Sequence, residues 1–136
     1  MSPEPWDRDR LRTCILGAVL IEHREHAGLS QKAAAAAIDD TGGTLSRWED
    51  GKCVPNTWRL QRYAERLGTT VDALFKTVDA AQVVAQEIAK TLPLKYATKD
   101  TPWWDAARDL LGDRGFRGLI ALAVAQVRHG VMMRTP

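Results

Sequence analysis

Apolar residues recur along this chain at spacings of three and four, and no stretch alternates as a half-buried strand does. The pattern predicts an all-α chain. A first helix runs from about Asp9 to Ala27, with Leu16, Leu20 and Ala27 on one side and Val19 and Ile21 beside them. Gly28 supplies the turn. Ser30 is a good N-cap for a second helix from Gln31 to about Ile38. Asp39-Asp40 make a polar turn, and Thr41 caps a third helix that carries Leu45 and Trp48 and stops at Gly51. A loop with Pro55 follows. A fourth helix starts near Asn56 or Thr57, shows Leu60, Tyr63, Ala64 and Leu67 at helical spacing, and ends at Gly68. Thr69-Thr70 opens a short fifth helix bearing Val71, Leu74 and Phe75.

The second half is also helical in pattern. Asp79 to Lys90 presents Val83, Val84 and Ile88. Pro93 and KYATKDTP interrupt the periodicity. Pro102 suits the first turn of a helix containing Trp103, Trp104, Ala107 and Leu110-Leu111. Gly112, Gly115 and Gly118 punctuate the chain before a last helix from about Phe116 to Val131. The run Leu119–Val127 is apolar on nearly every face, so full burial calls for cover from the chain's other helices, either alone by packing of the tail against the head or together with a second subunit. Residues 1–8, with two prolines and little to bury, are expected to be loose.

Composition narrows the picture only slightly. The 136 residues are 45% hydrophobic and 26% charged, which is globular rather than disordered. The net charge is +2. Residues 1–77 carry eleven basic and eleven acidic side chains, so charge alone does not announce a nucleic-acid partner. Two cysteines, Cys14 and Cys53, form neither a zinc spacing nor a disulfide framework, and a reduced, cytoplasmic protein is expected. The opening MSPEPWDRDR lacks the apolar core of a signal peptide. The longest apolar run is too short to span a bilayer.

Candidate catalytic chemistry is sparse. His23, His26 and His129 have no accompanying cysteines at metal-ligand spacing. His23 and His26 lie three apart on one helix and are expected at the surface. The glycines at 112, 115 and 118 adjoin no strand, so a phosphate-loop reading fails. No enzyme, cofactor or metal is expected.

One stretch carries more information. LGAVLIEHREHAGLSQ, AAAAAIDDTGGTLSRWEDGK and P…LQRYAERLGTTVDALF resemble the helix-turn-helix domain of the Cro/CI, XRE-like family (lambda-repressor type) over residues of about 11–77. Gly28-Leu29-Ser30-Gln31, Ala35, Ser46, Glu49 and Gly51 fall on that family's pattern. The resemblance implies a five-helix lambda-repressor-like domain over 9–77. Residues 78–136 are then a helical C-terminal region and a possible dimerisation element.

The resemblance further implies a sequence-specific double-stranded DNA-binding transcriptional regulator, commonly a repressor, of phage or bacterial type. It places a structural ion pair at Arg24 and Glu49. DNA contacts fall to Gln31, Thr41, Gly42, Gly43, Thr44, Arg47, Lys52 and Arg59. Thr41–Glu49 becomes the helix that enters the major groove. Thr44 and Arg47 are its base readers, while Gln31, Lys52 and Arg59 hold phosphates. Trp48 is expected in the core.

Three residues fit uneasily. Gly42 and Gly43 occupy base-reading positions without side chains, and each costs about 1 kcal/mol of helix stability against alanine. They admit a close approach of the duplex, a helix that begins late near Thr44, or a weakened DNA function. Asp40 stands where the family has an apolar residue; an aspartate is not buried unpaired, so the turn must differ or point outward. A protein-interaction module or antitoxin on the same scaffold is the rival. It is favoured by an exposed apolar patch at Trp103-Trp104, whereas a basic face around Arg47, Lys52 and Arg59 favours DNA.

Overall fold

The computed structural model describes residues 4–96 and 100–130, and the secondary structure within them is helical. The order is α1 (Arg8–His26), α2 (Gln31–Ala36), α3 (Gly42–Glu49), α4 (Thr57–Arg66), α5 (Val71–Ala89) and α6 (Trp103–His129). Five starts are capped by a side-chain oxygen accepting from a backbone amide: Asp7, Ser30, Thr41, Asn56 and Thr70. Three of the turns that follow pass through a glycine at positive φ: Gly28, Gly51 and Gly68.

α5 and α6 pack along each other, and α1 lies against both while also touching α3. The buried side chains join into a core that draws on all six helices. Leu11, Ile15, Leu20, Leu45, Leu60, Tyr63, Leu74, Phe116 and Ile120 are the largest of its fully buried members. Trp48 is buried there as expected, with its ring centroid 5.9 Å from that of Tyr63.

Several expectations are corrected. The short fifth helix and the helix over 79–90 are one continuous α5, so the boundary expected at 77/78 falls inside a helix. No breaker interrupts KTVDA, and the buried stripe Leu74, Val78, Ala81, Ala85, Ala89 continues across it at helical spacing. α2 stops at Ala36, short of Ile38. Pro102 is the N-cap of α6 rather than a first-turn residue. The two expected C-terminal helices do meet at a break, a kink at Gly112 (φ 74°, ψ 173°) within the span of α6; Val131 lies outside the described residues. In the apolar run, Ile120, Ala123 and Val124 are buried inside the chain itself, while Leu122 remains 43% exposed.

Of residues 1–8, expected to be loose, the first three lie outside the described residues and the others are held. The Trp6 amide donates to Asp105 (3.0 Å) and its carbonyl accepts from Trp104 Nε1 (2.9 Å). Its ring meets Phe116 edge-on at 5.8 Å, with the Arg108 guanidinium 3.8 Å from its centroid. Trp104 is therefore held against Trp6, Trp103 packs on Trp104 and Phe116, and both are half-buried rather than an open patch. His23, expected at the surface, is 8% exposed.

Candidate nucleic-acid interface

The candidate interface is built on α2, the turn after it, and α3. Its foundation is the buried ion pair. Arg24 Nε lies 2.6 Å from Glu49 Oε2 and Arg24 Nη2 3.1 Å from Oε1, a two-point clasp between α1 and α3. The side chains are 13% and 2% exposed. The remaining valences are used: Arg24 Nη1 donates to the Leu29 carbonyl (2.8 Å), and Gln31 Nε2 donates to Glu49 Oε1 (2.8 Å). The bond to Glu49 holds the Arg24 guanidinium more firmly protonated than usual. α1, α2 and α3 thus meet at one carboxylate. Gln31, expected on the DNA backbone, stands at the start of α2 with its amide turned inward to that carboxylate.

Close packing supports the same junction. A Cβ at Gly17 would fall 2.5 Å from the Glu49 carbonyl and 2.8 Å from that of Trp48. α1 therefore approaches the end of α3 as only glycine allows. Arg117 of α6 donates to the Asp50 carbonyl (2.9 Å), and Arg10 of α1 to that of Gly51. Tyr63 buries its hydroxyl without a hydrogen-bond partner, and burial and the nearby Glu49 charge push its pKa up. Sequence reasoning missed Gly17, Arg10 and Arg117, whose roles depend on contacts remote in the chain.

The turn explains Asp40. Ile38 is the residue that seals the core here, 7% exposed. Asp39 then takes a left-handed conformation (φ 54°), and the Asp40 amide closes on the Ala35 carbonyl (2.9 Å). Asp40 accepts from the Thr41 amide (2.9 Å) and lies 3.3 Å from Arg59 Nη1. The Thr41 amide, helped by the Thr44 hydroxyl and the charges of Arg59 and Arg47, holds its carboxyl below the usual value against an opposing effect of burial. Asp39 pairs with Arg62 at 3.5 Å, and Arg62 also covers the exposed ring of Trp58 at 4.9 Å. The aspartate pair thus ties α4 to the α2–α3 turn and engages Arg59, which had been assigned to phosphate.

α3 begins at Gly42, with Thr41 accepting from the Thr44 amide (3.3 Å); the late start near Thr44 does not occur. The fold does not require either glycine. Neither has a positive φ, and a Cβ at each would meet its nearest atom at 3.8 Å, an ordinary contact. The neighbour of Gly42 is the backbone of Lys32, an exposed cation that sequence reasoning passed over.

Along α3, Leu45, Trp48 and Glu49 face inward, whereas Gly43 and Arg47, one turn apart, face solvent. The half-buried Thr44 hydroxyl lies 3.2 Å from that of Thr41. Lys32, Arg47 and Lys52 are exposed and enter no ion pair among the described residues, whereas Arg59 and Arg62 do. The outer face offers backbone at the glycines, two hydroxyls, and three uncommitted cations on a rigid base. Among the described residues no three His, Cys, Asp or Glu side chains are placed to hold a metal ion. No described helix is long and apolar enough to cross a membrane.

Comparison with known proteins bears on the same region. Residues 15–75 match the family model of a helix-turn-helix domain. The crystal structure of the clp gene regulator ClgR from Corynebacterium glutamicum is similar, with 28% identity and a TM-score of 0.52. The match covers 66% of this chain and 94% of that one. No curated protein matches the chain. The chain therefore carries a helix-turn-helix domain within an all-α fold like that of a gene regulator.

Proposed function

We propose that this protein is a sequence-specific double-stranded DNA-binding transcriptional regulator of the Cro/CI, XRE-like type, acting as a cytoplasmic repressor without catalysis. The observation that carries the proposal is the outer face of α3. Arg47 stands exposed and unpaired there, one turn from glycine, on a helix locked from behind by Arg24, Glu49 and Gln31. A rigid base with mobile cations on its outer side is what groove reading asks for, because fixed geometry lowers the ordering cost on binding. The similarity to a solved gene regulator supports the same reading.

In this proposal Arg47 reads a base edge, with Thr44 beside it. Lys52 and Lys32 neutralise phosphates. Arg59 joins them only by giving up Asp40. Gly42 and Gly43 let the duplex approach the backbone of α3. A homodimer through the C-terminal region belongs to the same proposal: Val83 of α5 and Leu122 of α6 are exposed large apolar side chains there. The protein-interaction alternative loses one of its supports, since Trp103 and Trp104 are half-buried against the core and Trp104 is bonded to the Trp6 carbonyl.

The test is selection of binding sites from a random duplex pool at about 50 and about 200 mM salt. A recovered motif with steep salt dependence is expected, and a palindrome would reveal a dimer. Failure of the folded protein to enrich any sequence would refute the proposal.

A further inference from the structure

A cavity of about 390 Å³ opens between the last turn of α1, the turn after α4 and the last turn of α6. Its polar wall is formed by His23, His26, Thr69 and Arg128. Nothing in the DNA-binding proposal uses these residues.

Two of them carry polar atoms that no described residue hydrogen-bonds. Arg128 Nε is inaccessible and makes no hydrogen bond. The guanidinium takes part in no ion pair or hydrogen bond among the described residues. His23 is 8% exposed, and its ring makes no hydrogen bond among the described residues. A half-buried cation and a buried imidazole side by side are unfavourable unless something neutralises them.

The common structural job for such an arginine is already filled. Arginines near helix ends often hydrogen-bond the last carbonyls. At the end of α1 those of His23, Arg24 and Glu25 accept from the amides of Ala27, Leu29 and Gly28. At the end of α4 those of Tyr63, Ala64 and Glu65 accept from Leu67, Thr69 and Gly68. Glu22, the carboxylate whose charge acts on His23, is turned to His129, with Oε1 2.6 Å from Nε2. The charged or titratable groups facing His23 are Glu22 and His26 on its own helix and Arg128 on α6. The turn after α4 contributes only Leu67, Gly68 and Thr69 to the wall.

We propose that this cavity is a binding site for a small oxyanion, a carboxylate or a phosphate-type group, held by Arg128, His23 and the Thr69 hydroxyl. A guanidinium presents a planar fork that matches either anion. In the empty site burial and the Arg128 charge hold His23 neutral, its pKa below the usual 6.5. An anion between them offsets the Arg128 charge and accepts a hydrogen bond from the charged imidazole, which outweighs burial, so His23 gains a proton as the anion enters. The site joins α1 and α4 of the helix-turn-helix domain to the end of α6, which suits it to couple a metabolite to the region around Arg24, one residue from His23.

The experiment uses the full chain without DNA, at constant ionic strength. Sulfate probes the tetrahedral class and propionate the planar one, with chloride as the control. Binding is followed by calorimetry and by the pH titration of the His23 imidazole resonance. The expected result is saturable binding of sulfate, propionate or both, with His23 titrating at higher pH in the bound state. Arg128→Gln weakens binding by about tenfold or more. Lys52→Ala, remote from the cavity wall, leaves it unchanged. The proposal is overturned if neither anion acts differently from chloride, if the His23 titration ignores the anion, or if folded Arg128→Gln binds as the parent does. Loss of binding in Lys52→Ala would also overturn it, by placing the anion on the other surface. The His23 titration is made on the unaltered protein, so it decides the matter even where Arg128→Gln fails to fold.

Discussion

Replacing Gly42 and Gly43 together by alanine separates what the fold needs from what a partner needs. Both positions lie in the first turn of α3 at negative φ, and a Cβ at each finds its nearest neighbour at 3.8 Å. Alanine is therefore accommodated, and the unfolded chain loses freedom. The gain is about 0.5–1 kcal/mol per site. For a chain of this size the pair should raise Tm by about 3–8 °C in a thermal melt followed by circular dichroism. Binding should move the other way. If the duplex lies against the α3 backbone, two methyl groups intrude into a packed interface at about 1–3 kcal/mol. Titration against a selected duplex should then show about 5- to 150-fold weaker binding. A fall in Tm would refute the claim that the fold tolerates side chains there. Unchanged affinity in the stabilised variant would refute close approach as the reason for the glycines.

Four further outcomes follow from the same geometry. Glu49→Leu leaves Arg24 buried and unpaired, and should cost about 3–5 kcal/mol in urea unfolding; Arg24→Met with Glu49→Leu should recover much of that loss. Arg47→Ala should cost about 1–3 kcal/mol of binding and relax preference at one base position, whereas Lys52→Ala should weaken all duplexes alike and reduce the salt slope by about one. Asp40→Asn releases Arg59, so affinity for the selected duplex should rise and the salt slope steepen; an unchanged slope would mean that Arg59 never reaches the backbone. His23 has its pKa lowered in the folded state, so its contribution to stability is full above its ordinary value of 6.5 and lost as pH falls below it. Denaturation across about pH 5–8 should show that decline, and His23→Leu should flatten it.

Local chemistry was sufficient for much of the region from α2 to α4. Ser30, Thr41 and Asn56 each accept from an amide three residues on, and Gly51 and Gly68 supply positive φ immediately beyond a helix. Signals that act within one turn are visible in a string of residues. Arg24 and Glu49 were legible because the resemblance paired them, and the geometry bears the pairing out. The split of α5 was an error of a different kind. The end of a resemblance is not the end of a helix, and Leu74, Val78 and Ala81 carry the apolar stripe past it.

Other features were beyond the reach of a linear reading because they join residues far apart. Trp6 and Asp105 are 99 residues apart, and the bond between them fixes a segment expected to be loose against Trp104. Gly17 reads as a helix-weakening glycine until the Glu49 carbonyl is found where its Cβ would be. Arg59 counts as a free cation in the sequence, yet Asp40, nineteen positions earlier, stands beside it in space. A chain's composition and periodicity decide which segments become helices, since those preferences act over a few residues. Which charges are left unpaired, and which surface can therefore meet DNA, is decided when the helices pack, because charge pairing depends on distances that only the fold sets.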